Sequence, residues 1–207
     1  IAANIERLGF RLRDVKLILT SHEHVDHVGG VAALQRLTGA TVAARAEAAP
    51  ALASGTAQAG DPQHGALAPF PAIAVGRTLR DNEVVRLGPI ALTAHATPGH
   101  TAGSTSWSWL SCEGRACLTI VYADSLSAVS AEGYRFSDHR DEVSAFRRSI
   151  ARIGALRCDL LLTPHPGASD LFRRLASGRL ADSAGCRAYA VRAGERLDER
   201  LQQERGR

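Results

Sequence analysis

Val15-Lys16-Leu17-Ile18-Leu19-Thr20 runs directly into Ser21-His22-Glu23-His24-Val25-Asp26-His27-Val28-Gly29-Gly30. The first segment is a short apolar run of the kind that forms a buried strand, and the Gly-Gly pair closes the second. Within residues 22–27 fall three of the chain's eight histidines and one aspartate. Imidazole and carboxylate are the donors that a borderline-soft ion such as zinc takes. If the chain leaves the strand extended, His22 and His24 lie on one side, because successive side chains alternate. Asp26 and His27 are adjacent after the turn and can point apart to serve a second ion. A solvated loop is the alternative, but four ligand-type residues at i, i+2, i+4 and i+5 between a strand and a Gly-Gly count against it. The H-E-x-x-H pattern of zinc proteases is not met, because Asp26 stands where its second histidine would be. The run predicts a metal site, and one for two metals.

A chain of 207 residues can bury one sizeable core, so a single domain over 1–207 is expected. Its 45% hydrophobic and 22% charged content is ordinary for a globular protein. The net charge of +4 is carried by scattered arginines, many beside acids, and only five Phe, two Trp and three Tyr could stack on bases. No nucleic-acid partner is expected. Lys16 is the sole lysine; Arg13 replaces the serine of an S-x-x-K nucleophile motif, and Val15 replaces the glycine of a P-loop. The sequence has no run of about eighteen apolar residues, so no membrane insertion is expected. Ile1–Gly9 reads as the middle of an amphipathic helix. That predicts an N-terminus, and any targeting signal with it, lying outside this sequence.

By position the four cysteines suit two pairs. Cys112 and Cys117 flank a turn between strand-like runs, while Cys158 opens a strand and Cys186 lies on the last helix. Closing these loops would contribute roughly 2 and 3.6 kcal/mol on a chain-entropy estimate. An even count favours disulfides and a secreted or periplasmic location; four buried free thiols in a cytosolic protein are the alternative.

Apolar periodicity predicts helices at residues 1–9, 31–37, 141–153, 170–175 and 181–203, with a weaker one at 46–53 that contains Pro50. Strands are expected at 15–20, 41–45, 105–110, 118–123 and 160–163, with a hairpin at 84–94. The polar, Gly- and Pro-containing stretch 54–71, which includes Gln63, reads as a long loop, either a wall of the site or ordinary surface. Strands mixed with helices indicate an α/β domain.

Two further histidines follow strands beside Gly or Pro: Pro98-Gly99-His100-Thr101 and Thr163-Pro164-His165-Pro166. Together with the first cluster they supply six ligands. His22, His24 and His100 are assigned to one zinc, and Asp26, His27 and His165 to a second. Three protein ligands and an open position per ion are the pattern of a catalytic site. His64, His95 and His139 are left as surface or hydrogen-bonding histidines.

The H-x-H-x-D-H run at His22–His27 resembles the signature of the metallo-β-lactamase superfamily. Pro98–Trp107, Tyr122-Ala123-Asp124-Ser125-Leu126-Ser127 and Thr163–Pro166 look like the third subclass of class B β-lactamases, and the similarity runs through essentially the whole chain. The resemblance implies an αββα sandwich and a two-zinc, five-histidine, one-aspartate site. Some periplasmic members also carry cysteine pairs placed like Cys112–Cys117 and Cys158–Cys186. The family has several strands before the helix that opens this chain, so an N-terminally incomplete domain with part of its substrate wall missing is expected. The activity implied is zinc-dependent hydrolysis of the β-lactam amide by a metal-bound hydroxide, conferring antibiotic resistance, in a periplasmic or secreted monomer. Asp26 orients that hydroxide, and Ser125 and Ser127 reach water or the substrate carboxylate. Asp124, shifted by one position, could instead bridge two metals as in lactonase-like and glyoxalase-II-like thioesterase relatives. An inactive zinc-binding fragment is the remaining alternative.

Overall fold

The computed structural model describes residues 1–206. In chain order the helices and strands are α1 (Ala2–Arg7), β1 (Leu17–Leu19), α2 (Val25–Val28), α3 (Val31–Thr38), β2 (Thr41–Arg45), α4 (Ala49–Ser54), β3 (Val75–Leu79), β4 (Val84–Leu87), β5 (Ile90–Ala96), β6 (Thr105–Glu113), β7 (Ala116–Tyr122), α5 (Arg140–Ala155), β8 (Leu160–Leu162), α6 (Leu171–Ala176) and α7 (Gly185–Arg205). The strands form two sheets. One is parallel with order β1-β2-β3; the other has order β4-β5-β6-β7-β8, antiparallel through β7 and parallel between β7 and β8.

Three apolar clusters stack these parts into four layers. On β2, Val42 and Ala44 pack with Ala32 of α3 and Leu52 of α4, while Ala43 between them faces the other way. Ala43 and Leu79 meet Val85, Ala94 and Trp107 of the larger sheet, closing the space between the sheets. On the far side, Val121 and Leu161 pack against Phe146 and Ile153 of α5 and Tyr189, Ala193 and Leu197 of α7. Period-two alternation in the strands thus serves two clusters at once. The architecture is the αββα sandwich that the sequence led us to expect.

Several local expectations are corrected. The strand at 15–20 is shorter and only partly buried, because β1 is the edge of its sheet among the described residues. The stripe Ile1, Ile5, Leu8 covers little: Ile1 and Leu8 are exposed, Ile5 is half-buried and α1 has no buried residue. Pro50 does not weaken α4, since it stands in the first turn, where a missing N–H breaks no helical bond. Strand β3 was not anticipated, because its apolar residues are only Val75 and Leu79 and its burial comes from pairing with β2. The last helix begins at Gly185, not near 181.

Both disulfides are present. Cys112–Cys117 joins directly opposed residues near the tip of the β6–β7 hairpin, and Cys158–Cys186 staples the entrance of β8 to α7.

Strand direction places the chemistry. β5 and β7 both run antiparallel to β6, and β8 runs parallel to β7, so β5, β7 and β8 end at the same edge of the sheet. The loops that follow them carry His100, Asp124–Ser127 and His165. Two bonds bring the other sheet to this edge: Trp107 Nε1 donates to the Thr20 carbonyl (3.1 Å) and the Thr105 amide to the Ser21 carbonyl (2.7 Å).

Gly99 sits under this edge with φ +144°, and a Cβ there would lie 2.4 Å from Cγ of the buried Phe146 ring. Replacing Gly99 by Ala is therefore expected to cost about 1–3 kcal/mol, lowering the melting temperature by roughly 2–4 °C per kcal/mol in a domain of this size. Thermal unfolding of Gly99→Ala checks this; an unchanged midpoint would show that the loop yields instead.

Candidate metal centre

The extended segment after β1 carries His22 and His24 and passes into α2, a single turn bearing Asp26 and His27. His22, His24 and His100 are buried, and one ring nitrogen from each lies within 4.8 Å of the others. His22, Asp26 and His27 form a second group by the same measure. His165 stands at the rim, its side chain 60% exposed, with Nε2 3.6 Å from Asp26 Oδ2. Its ring centroid is 5.0 Å from that of His27. Five of the six residues assigned from the sequence thus fall in these two groups, which share His22, while His165 lies beside the second. Asp26 and His27 converge and do not point apart: Asp26 Oδ2 is 3.1 Å from His27 Nε2.

Each imidazole of the buried triad is held from behind. His22 Nδ1 is 2.7 Å from Asp124 Oδ1, and both side chains are fully buried. His24 Nε2 is 2.9 Å from Asp61 Oδ2, and His100 Nδ1 donates to the Ser127 carbonyl at 2.8 Å. A hydrogen bond on one ring nitrogen fixes the tautomer and turns the other nitrogen toward its ligand. Asp61 and Asp124 were not recognised in this orienting role. Asp61 lies in the long polar loop, where only Gly60-Asp61-Pro62 marks it, and no sequence signal shows that a loop carboxylate is buried.

Asp124 belongs to neither metal-type group, and its Oδ2 is buried without a hydrogen-bond partner. Its carboxylate meets His22 through Nδ1, on the opposite side of the ring from Nε2. The Asp124 amide is held by Ser106 Oγ, and its carbonyl accepts from the Tyr189 hydroxyl.

Electrostatics keep part of this cluster neutral. Burial, followed by the proximity of His22, pushes His27 and His100 each down to about 4. Burial also opposes charge on His22, but the Asp124 carboxylate outweighs it and raises that group. Burial works to raise Asp26 and Asp124, yet the neighbouring histidines hold both below the usual carboxylate range. Neutral imidazoles and ionised carboxylates are the protonation states that metal binding requires.

His22 Nε2 and His27 Nε2 are buried without a hydrogen-bond partner; the Asp26 oxygen near His27 is not in bonding geometry. An unsatisfied buried polar atom costs about 1–3 kcal/mol, and a cation accepting the lone pairs would remove that cost. With nitrogen and carboxylate donors in two groups of three, the residues present fit a transition-metal ion.

The remaining residues divide clearly. Ser125 is buried with an unpartnered Oγ, and Ser127 Oγ lies 3.4 Å from His100 Nδ1. Both line a small cleft of about 130 Å³ with His165, Arg192 and Arg196. Gln63 reaches the site, its Nε2 3.4 Å from His24 Nδ1, so the long loop walls it. His64 caps an Ala57 carbonyl, His95 bonds Ser108 Oγ, and His139 stacks on Tyr134; none joins the cluster. A cleft of about 360 Å³ lined by Leu19, His27, Leu92, Trp107, Trp109 and Tyr122 opens beside the second group. A larger cleft, about 780 Å³, lies elsewhere, between α6 and α7. The donor set, not volume, marks the site.

Comparison with known proteins agrees with this geometry. The family described as the metallo-beta-lactamase superfamily matches residues 1–113. The structure is similar to MIM-1, a metallo-β-lactamase from Novosphingobium pentaromativorans: TM-score 0.94 and 49% identity, covering 99% of this chain and 76% of that one. It is equally similar to MEM-A1, a subclass B3 metallo-β-lactamase from a soil metagenome library: TM-score 0.95 and 47% identity, covering 99% and 81%. A hydroxyacylglutathione hydrolase of Methylobacterium nodulans is 31% identical over 103 residues, half of this chain and 31% of that protein. With the histidine run, the sandwich and more than half of the sequence all matching, the chain belongs to the metallo-β-lactamase superfamily.

Proposed function

We propose that this chain is a zinc-dependent β-lactamase that opens the lactam amide of antibiotics at a two-ion centre. His22, His24 and His100 would hold one ion and Asp26, His27 and His165 the other. The observation that carries the reading is the buried three-histidine group beside a second Asp–His group, in a chain 47–49% identical to enzymes named metallo-β-lactamases. When bound, zinc polarises a carbonyl oxygen and lowers the pKa of water to about 7.

The chain's own residues do the positioning. Asp124, Asp61 and the Ser127 carbonyl hold the three imidazoles in fixed tautomers. Asp26, half exposed at the mouth, would accept a hydrogen bond from the attacking water and so orient it. Ser125 and Ser127 offer hydroxyls to the substrate carboxylate, and the cleft beside Trp107 and Trp109 takes the apolar part of the antibiotic. The two disulfides support a periplasmic or secreted location.

A second reading, thioester hydrolysis, is favoured by the likeness to the hydroxyacylglutathione hydrolase. Against it, Asp124 Oδ1 is engaged by His22 Nδ1, and Asp124 falls in neither group of metal-type donors.

Carbapenem hydrolysis by the purified chain separates the two. Turnover lost to a chelator and restored by zinc is expected; turnover of a glutathione thioester alone would replace this reading. Zinc at a hundredfold excess over its dissociation constant should stabilise the fold by about 2.7 kcal/mol, seen as a rise of several degrees in the unfolding midpoint. Asp26→Ala is expected to lower kcat/KM on the order of 10³-fold, since several kcal/mol of transition-state stabilisation depend on the metal site. Turnover retained in that variant would refute the assignment.

A further inference from the structure

We propose that Glu23 is a positioning residue for the three-histidine group: its buried carboxylate ties the segment carrying His22 and His24 to the loop carrying His100, and so sets the spacing of their ring nitrogens. The inference rests on reading those histidines as ligands.

Glu23 lies between His22 and His24 in extended chain, so its side chain leaves on the opposite side from theirs. It is 4% exposed. Its Oε2 accepts from the Thr101 hydroxyl at 2.9 Å and its Oε1 from the Gly103 amide at 3.1 Å, partners 78 and 80 residues away. Thr101 and Gly103 flank Ala102 in the turn just after His100, and Ser104 Oγ braces that turn by accepting from the Thr101 amide at 3.2 Å. Gly103 makes the approach possible: a Cβ there would lie 2.6 Å from Glu23 Oε2 and 2.5 Å from the Ala48 methyl.

A carboxylate buried among neutral donors is costly unless its oxygens are hydrogen-bonded, as both are here. What Glu23 adds is a rigid two-point strut between the two chain segments that supply the triad. Of the hydrogen bonds described, those holding the rings from behind act on single imidazoles; Glu23 acts on the distance between them.

The test compares the full chain with its Glu23→Gln, Glu23→Ala and Thr101→Val variants. Zinc affinity is measured by competition with a chromophoric chelator, the ligand field by cobalt substitution, and folding by thermal unfolding. Glu23→Gln keeps both contacts, with its carbonyl accepting from Gly103 and its amide donating to Thr101 Oγ1, so affinity within about threefold of the parent is expected. Glu23→Ala should weaken zinc binding by about 10–100-fold, the range for lost support of metal ligands, with an altered cobalt spectrum. Thr101→Val, which removes one contact, should fall between them. A folded Glu23→Ala protein that melts lower but binds zinc as the parent does would reduce Glu23 to a stability role and overturn the proposal. Should Glu23→Ala not fold, Thr101→Val binding zinc as tightly as the parent would overturn it equally. A parent chain that binds no zinc would overturn the ligand reading as well, which distinguishes that failure from this one.

Discussion

Buried imidazoles gathered around one point can stay there only if their charge is suppressed or balanced and they cannot turn. Desolvation meets the first condition by suppressing charge on His27 and His100, holding both near 4, and the Asp124 carboxylate balances it on His22. The second comes from groups behind the rings: Asp124 on His22, Asp61 on His24 and the Ser127 carbonyl on His100. Each of these bonds fixes which nitrogen faces the seam. The fold around the site can be understood as the apparatus that brings these supports to the right depth.

Two sheets are needed because the six ligand-type residues come from both. The parallel sheet supplies the His22–His27 segment, and the larger sheet supplies His100 and His165 from strands that end at one edge. The apolar cluster between the sheets, with Trp107 at its centre, sets their separation, and the Trp107–Thr20 bond joins that cluster to the ligand-bearing loop. Helices α5 and α7 support the larger sheet from outside, and Tyr189 of α7 reaches through to hold the Asp124 carbonyl and the Leu126 amide. A hydroxyl on the outer helix therefore contributes to the position of a carboxylate behind a ligand.

The same arrangement bears on chemistry within the family. An aspartate placed between two ions and an aspartate placed behind an imidazole can occupy neighbouring positions of the same loop, yet they do different work. Here the carboxylate of Asp124 is behind His22, while Ser125 keeps an unpartnered hydroxyl and Ser127 lies close to His100.

The residues that gather as two metal-type groups were legible in the sequence because metal chemistry restricts residue types so strongly. Three histidines and an aspartate within six positions are seldom brought together except to bind an ion, and His100 and His165 announced themselves beside Gly and Pro after apolar runs. The alternation of strands and helices and the hairpin at 84–94 were legible too, since apolar periodicity is a local property. What local pattern could not carry were the pairings across long separations. Strand β3 owes its existence to β2, and the shallow burial of β1 follows from its place at the sheet edge. Asp61 and Glu23 acquire their roles only when segments 37 and about 80 residues apart come into contact. The sequence by itself determined which atoms could bind an ion. The tertiary structure decided how far apart those atoms stand and which way they face, because distance and orientation depend on contacts between segments that no local pattern records.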